Sequence, residues 1–581
     1  MSSFSSISGN DGLHCGDSGL SSAHCVSDTH IRLFEEVYAS GSYNFLLCRR
    51  PVPSRLVISR WRDLLQGYSD TLLCDMLEFG FPLDVQGEVP LCTVLRNHKG
   101  ARDHPDQIRS YLKQETVRGR LAGPFSSNPL SVSLHVSPLN SVPKDETERR
   151  VITDLSWPIG SSVNDQISKS VYLGEDIDLH YVTVEEICGM VQRIGRGARI
   201  YKRDLKKAYR QIPVDPMDYR FLGYLWEETV YVDTVLAMGQ RNAAMACQRT
   251  TDGVMFIHQE QGHLGKSYLD DLIGVASPGD ADEGYEQLGL LLRELGLEEN
   301  IPKACPPSSS QVVLGVLIDT IAMTISVPSS RMAEIHDTLD MWVEKSSCSK
   351  SELQSLIGVL CFVIKCVWQS RVFINRLLDV LRSFSADQRS TTLTQEFHKD
   401  VRWWIHFMDK FNGVSFIPAP DWYAPDLIFA TDSTLTGCGG LTDSEFFHSP
   451  FPPSIQQLCL DINALEILGV LVAVRLWGPC YAGRKILLYC DNLQAVQAIN
   501  SGRTRNEFIG RCVRQLWLET ASYHFHIRAV HLPGVENRLA DSLSRWDLSS
   551  RYRNLFYEQI QGRTMSECTV SDDLFILFDD F

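Results

Sequence analysis

Two aspartates stand side by side in SYLDDLIGVA, residues 267–276, with apolar, strand-like residues on both flanks. A hairpin turn is the plain account of such a pair, because Asp is common in turns. Asp-Asp is nevertheless a poor two-residue turn: the favoured pairs end in Gly, where φ is positive, and adjacent carboxylates repel. These ten residues alone leave a plain turn and a metal site equally open. A third carboxylate, Asp204, lies 66 residues earlier, at the end of ARIYKRD, which reads as a strand. It is the single acid among eight Lys or Arg residues in 193–210, a run whose plain reading is a solvated basic face. Three carboxylates converging on one point repel strongly unless a cation lies between them. Mg²⁺ suits such oxygen ligands and takes few carboxylates plus substrate phosphates. Two such ions stabilise the attacking and leaving oxygens of an in-line phosphoryl displacement. An acidic spot within a basic stretch fits that chemistry, since nucleic-acid phosphates call for Lys and Arg around the metals.

A second set follows. DLIFATDSTLTGCGG is an apolar strand ending at Asp432, and KILLYCDNLQAVQAINSG is another ending at Asp491 before a helix. Between them, LDINALEILGVLVAVRLW is a helix whose apolar residues surround Glu466. A carboxylate on an apolar helix face is costly unless paired or metal-bound. HLPGVENRLADSLSR supplies His531 and Asp541. Taken singly, Asp491-Asn492 also reads as a helix cap, and His531 as a structural histidine.

The elements that must position these groups divide the chain. The expected organisation is a disordered Ser- and Gly-rich segment over 1–28, a helical and loop region over 29–120, and strands alternating with helices over 121–325. A helical stretch with a Pro-rich linker follows over 326–420, then an α/β unit over 421–550 and an acidic, hydrophobic tail over 551–581. Ser349 with Glu352 makes a capping box. The 581 residues carry a net charge of −16, which argues against nucleic acid binding over the whole surface but not in a local groove. No apolar run is expected to reach the ~18 residues of a membrane span. The 17 scattered cysteines, without CxxC spacing or a secretory signal, point to a reducing intracellular location, cytoplasm or nucleus.

In order and spacing, these stretches resemble the reverse transcriptase family. YLDD resembles its YxDD hairpin and RDLKKAYRQIPV its first aspartate motif. LAMGQRNAAMACQ resembles the template-gripping motif, LGLEENIPKACPPSSSQVVLGVLID the Lys-bearing and primer-grip segments, and SVPKDETERRVITDLS the strands that hold the incoming triphosphate. The resemblance implies that Asp204, Asp270 and Asp271 bind two Mg²⁺ ions, with Mn²⁺ as an alternative. It implies that Tyr209 is the steric gate selecting deoxynucleotides and that Lys144 and Arg150 contact triphosphate. Lys303 would serve the pyrophosphate leaving group, and Gly239 would let the backbone approach the substrate. Met238 and Ala244 depart from the family pattern, which bears on template grip.

The later set resembles type 1 ribonuclease H. Asp432, Glu466, Asp491 and Asp541 stand in its order, at spacings of 34, 25 and 50, with HLPGVENRLAD close to its ending. The resemblance implies two-metal cleavage of RNA in RNA–DNA hybrids, with His531 aiding product departure. The implied fold is multidomain α+β: a right-hand polymerase with fingers, palm and thumb, then an α/β ribonuclease H-like domain. The implied partners are RNA template, DNA primer, RNA–DNA hybrid and deoxynucleoside triphosphates, with other element-encoded proteins and no membrane. GRLAGPF, VITDLSWPIGSSVND, QRTTDGV and LQSLIGVLCFVIKCV resemble DIRS-like retrotransposons more closely. The alternatives are a catalytically silent nucleic-acid-binding relic, or an enzyme with one live site.

Overall fold

The apolar alternation on either side of the aspartate pair does form strands. In the computed structural model, Cys305–Ser308, Arg199–Asp204, Asp271–Ala276 and Gly265–Tyr268 make, in that order, an antiparallel sheet. Residues Leu272–Ala276 are buried without alternation, as in a strand covered on both faces. The helices Ala243–Glu260 and Ala281–Leu295 pack on this sheet. Gly274 is required there: a Cβ would fall 2.1 Å from the Tyr201 ring, whose hydroxyl meets His258 Nε2 at 2.9 Å.

The structure describes residues 18–41, 50–89, 96–144, 148–366, 370, 373–385, 388–410, 414–416 and 425–577. The fold is mixed α+β, and the chain divides into two compact units: 1–183 with 198–308, and 184–197 with 309–581.

In the first unit, a helix covers Ser18–Ala39, so the disorder expected over 1–28 is corrected for residues 18–28. Within that segment the structure uses a polar anchor that composition does not reveal: buried Ser27 Oγ donates to the Gly123 carbonyl at 3.3 Å and accepts the Gly123 amide at 3.2 Å. Leu33, Phe34 and Val37 are buried, and His30 bridges the Tyr219 hydroxyl and the Gly119 carbonyl. Residues 1–17 lie outside the described residues.

The turn Pro216–Phe221 holds two buried carboxyls. Asp215 caps the Met217 amide at 2.9 Å and Asp218 accepts the Leu83 amide at 2.7 Å. Burial raises both above the usual carboxylate range, and the charge of Asp218 raises Asp215 further. The folded state therefore keeps protons that the unfolded chain releases, and stability falls as pH climbs above the ordinary carboxylate pKa. Asp215→Asn keeps the cap and removes one charge. It should stabilise the protein by about 1–2 kcal/mol at about pH 8 and have no such effect at about pH 4; paired unfolding curves at the two pH values check this.

In the second unit, strands Ser310–Val313, Val316–Asp319, Thr324–Ser326 and Val414–Phe416 form one antiparallel sheet. The compact units divide at 308, whereas the sequence places a boundary at 325; the hairpin over 310–319 pairs with Thr324–Ser326, which in turn pairs with Val414–Phe416. The capping box is present: Ser349 N–H donates to Glu352 Oε2 at 2.7 Å and Glu352 N–H to Ser349 Oγ at 3.3 Å. Most of the expected linker, 417–424, lies outside the described residues.

The larger sheet runs His526–His531, Lys485–Cys490, Leu427–Ser433, Gly437–Leu441, Glu445–Pro450 and Ser566–Glu567. Its first three strands are mutually parallel, the next two antiparallel, and the last parallel to its neighbour. The helix Ile462–Trp477 lies against this sheet and against the helix Glu507–Ser522. The expectation that no apolar run reaches span length is corrected here. Ile462–Cys480 is long and apolar enough to cross a membrane, at mean hydropathy 1.4, and 72% of it is buried inside the unit. The stretch 551–581 is folded over its described part rather than a loose tail. Phe556 and Phe575 are buried, Ser566–Glu567 extends the sheet, and Arg475 Nη1 donates to the Leu574 and Ile576 carbonyls at 2.8 and 2.7 Å.

Candidate active sites

Strand register brings the first three carboxylates together. Asp204 and Asp271 face each other across the ladder, and Asp270 occupies the turn between Tyr268 and Asp271. Leu269 takes φ 51°, which spares Asp270 the left-handed conformation. The turn is pinned twice: Leu269 N–H donates to Gln248 Oε1 at 2.7 Å, and Leu205 N–H to the Asp270 carbonyl at 3.0 Å. Like charges directly opposed in a sheet are destabilising, so the pairing needs compensation. Asp204 is buried; its Oδ1 accepts from Asn300 Nδ2 at 2.8 Å and its Oδ2 from Lys303 Nζ at 3.0 Å. Burial raises the Asp270 carboxyl and the charge of Asp204 adds to it; burial also raises Asp271, with Lys202 opposing. Burial lowers Lys303, but its bond to Asp204 and the charges of all three aspartates outweigh this and raise it.

The remaining sequence-derived residues separate. Tyr209 follows Asp204 on the turn Ala208–Gln211 and is half-buried; its hydroxyl is pushed up to about 12 by burial, then by Cys247 and Asp270. Arg150 is exposed on the strand Arg149–Thr153, and its charge reaches both Asp270 and Tyr209. Lys144 pairs with Glu148 at 2.5 Å across the same hairpin. Gly239, at φ +113°, is exposed, and a Cβ there would lie 2.4 Å from the Thr153 carbonyl oxygen, so only glycine fits the position.

Two neutral amides were missed. Gln248 holds the hairpin turn and Asn300 holds Asp204. Gln248 does end the quoted motif LAMGQRNAAMACQ, but a lone amide carries no signal of its own.

The second set is gathered by the parallel strands. Asp432 lies on the strand Leu427–Ser433, and Asp491 directly follows Lys485–Cys490. Glu466 projects from the buried helix, and Asp541 sits on the short helix Arg538–Ser544. Donor atoms of Glu466, Cys490 and Asp491 lie within 4.8 Å of one another. Burial pushes Asp432 up to about 7, with Ser544 Oγ, donating at 2.5 Å, opposing and Asp491 and Asp541 adding. Burial pushes Glu466 up to about 9, helped by Asp432 and Asp491. Asp541 accepts from Arg545 Nε at 2.7 Å. His531 Nε2 donates to the Asp491 carbonyl at 3.0 Å, and Gly534 in the same loop has its Cβ direction 3.1 Å from Asp491 Oδ2. Asn492 does cap a helix, accepting the Ala495 amide at 2.9 Å, so Asp491 is left free of that role.

The donor chemistry suits a hard cation. Both sets are rich in carboxylate oxygens; burial first and neighbouring charge after it raise Asp270 in one and Asp432, Glu466 and Asp491 in the other, and a hard cation relieves that cost. Cys490 lies beside Glu466 and Asp491 as a buried thiol whose pKa burial and Glu466 raise.

No family model and no curated protein matches this sequence. Among solved structures, the chain is similar to a foamy viral protease-reverse transcriptase in complex with dsDNA, at 14% identity and TM-score 0.46. That match covers 83% of this chain and 98% of the other. A foamy viral protease-reverse transcriptase in complex with RNA/DNA hybrid matches at 15% identity and TM-score 0.44, covering 84% of this chain and 65% of the other.

Proposed function

We propose that the chain is an RNA-directed DNA polymerase with ribonuclease H activity, from a retroelement of DIRS-like type. The observation that carries it is the presence of two converging carboxylate sets, one in each unit, each built on strand ends. In this reading the first unit supplies fingers and palm. Asp204, Asp270 and Asp271 hold Mg²⁺ there. Bound there, the ion would supply charge stabilisation to an attacking 3′-oxygen and a departing pyrophosphate. Lys303, which donates to Asp204 Oδ2, would stand beside the leaving group to neutralise it. Arg150 offers bidentate hydrogen bonds to triphosphate. Tyr209 excludes a 2′-hydroxyl by bulk.

Asp432, Glu466, Asp491 and Asp541 hold Mg²⁺ in the second unit, for hydrolysis of RNA paired to DNA. His531, fixed to the Asp491 carbonyl, stands beside that set. The working location is intracellular, in cytoplasm or nucleus. The test is Mg²⁺-dependent extension of a DNA primer on an RNA template, with cleavage of the hybrid RNA read in the same tube. Both activities are expected; folded protein with neither would defeat the reading.

A further inference from the structure

The first unit carries a cavity of about 200 Å³ where the helix Ser18–Ala39, the segment 53–55 and the ends of the helices Pro105–Val117 and Ala281–Leu295 meet. Arg55, Arg118, Arg120 and Arg210 line it, and no acid does so among the described residues. Arg120 is the odd group. It is 6% exposed, its Nη1 has no hydrogen-bond partner among the described residues, and its Nη2 reaches Glu298 only at 3.3 Å. Charge-assisted bonds of this kind close to about 2.7–2.9 Å. Glu298 is already held by Lys206 at 2.9 Å. Glu115 is shared in the same way, by Lys207 at 3.0 Å, Arg210 at 3.1 Å and Arg118 at 3.7 Å, while Arg210 also takes Asp233 at 2.6 Å. Five cations thus divide three acids, and Arg55, exposed and without an ion pair among the described residues, is a sixth. Two helices end here, and their carbonyl ends offset about half a charge each, which leaves about two positive charges unbalanced. Burial lowers the Arg120 pKa; Glu115 and Glu298 oppose this, and Arg210 and Arg118 add to it.

We propose that this cavity binds a small phosphate-class oxyanion, inorganic phosphate or pyrophosphate, between Arg55, Arg118 and Arg120. Guanidinium forks match phosphate oxygens bidentately, and a doubly charged anion balances the surplus. Size selects among phosphates. The cavity is smaller than the ~300–1,000 Å³ of pockets for drug-sized ligands, so it suits the free ion and not a whole nucleotide. With the ion bound, Arg120 turns from the shared Glu298, and Nη1 gains the acceptor it lacks. The ion also ties the segment 53–55 to the start of the strand Leu121–Phe125. Gly296 makes that junction close: a Cβ there would lie 2.1 Å from the Arg55 carbonyl oxygen. The inference stands apart from both proposed activities, since Asp204, Asp270 and Asp271 do not line the cavity.

The test titrates inorganic phosphate, and separately pyrophosphate, into the full chain without divalent metal, with chloride holding the ionic strength constant. Heat of binding and thermal unfolding are both followed. Arg120→Gln disturbs a buried group, so the variant is Arg55→Gln/Arg118→Gln, neither of whose side chains is buried; its unfolding midpoint without added anion checks its fold. At least one of the two anions should bind wild type and raise its midpoint with concentration, as a ligand of the folded state alone does. The variant should lose about tenfold or more in affinity, the effect of removing hydrogen bonds from charged donors. Stabilisation no greater than that given by chloride overturns the proposal, as does an affinity unchanged in the variant. So does displacement of bound phosphate by a single-stranded oligonucleotide that itself binds through Arg55 and Arg118, which would make the cavity a nucleic-acid contact.

Discussion

Asp270→Asn should abolish primer extension and leave hybrid cleavage intact. The substitution is isosteric, and the turn is held by backbone and Gln248 bonds that do not use the Asp270 carboxylate. What changes is charge. Burial and Asp204 both raise the Asp270 carboxyl, so its negative charge is held at a cost that the amide does not bear. Metal-free protein should therefore be as stable as wild type or more so, which separates loss of chemistry from loss of fold. A metal contributes several kcal/mol of transition-state charge stabilisation. Losing about 4 kcal/mol of it lowers the rate about a thousandfold. The groups proposed for cleavage belong to the other unit, so cleavage should stay within about twofold of wild type. Extension that survives near the wild-type rate would place the metal elsewhere.

The second large effect concerns Glu466. Its carboxyl is pushed up to about 9, by burial first and by Asp432 and Asp491 after it. A folded-state pKa above the unfolded one contributes stability present at low pH and lost as pH rises through the folded value. Metal-free wild type should thus lose several kcal/mol between about pH 5 and about pH 9, with Asp432, pushed up to about 7, adding to the loss in the lower part of that window. Glu466→Gln should flatten the curve while eliminating cleavage. Mg²⁺ should restore wild-type stability at about pH 9 and do much less for the variant, because a ligand that binds only the folded state stabilises it by mass action. Thermal unfolding across pH, with and without Mg²⁺, reads all three. A wild-type profile that is flat with pH would mean that Glu466 is solvated.

What the sequence made legible follows from how each group announces itself. Charge inside an apolar pattern is conspicuous, so Asp270-Asp271, Asp432, Glu466 and Asp491 could be found, and the structure gathers them into two sets. The Ser349–Glu352 box was legible because its bonds are local. Gln248 and Asn300 were not, since an amide acts only through the partner that folding gives it. Ser566–Glu567 is a two-residue strand, too short for any periodicity. The pairing of Thr324–Ser326 with Val414–Phe416 was not legible, since the two strands lie far apart in the chain.

The order in which the units are threaded has a consequence during synthesis. The helix Val184–Ile194 belongs to the second unit, although the chain returns to the first before continuing. Its apolar side, with Ile187, Cys188 and Val191, is buried in the finished protein, and Gly197 after it bonds the Thr320 carbonyl. A ribosome must therefore complete residues 198–308 before the strands that secure this helix exist. At about 5–20 residues per second the delay is on the order of ten seconds. For that interval the nascent chain presents a sticky amphipathic segment to chaperones, and yield on expression should respond to their supply more than to the stability of either unit.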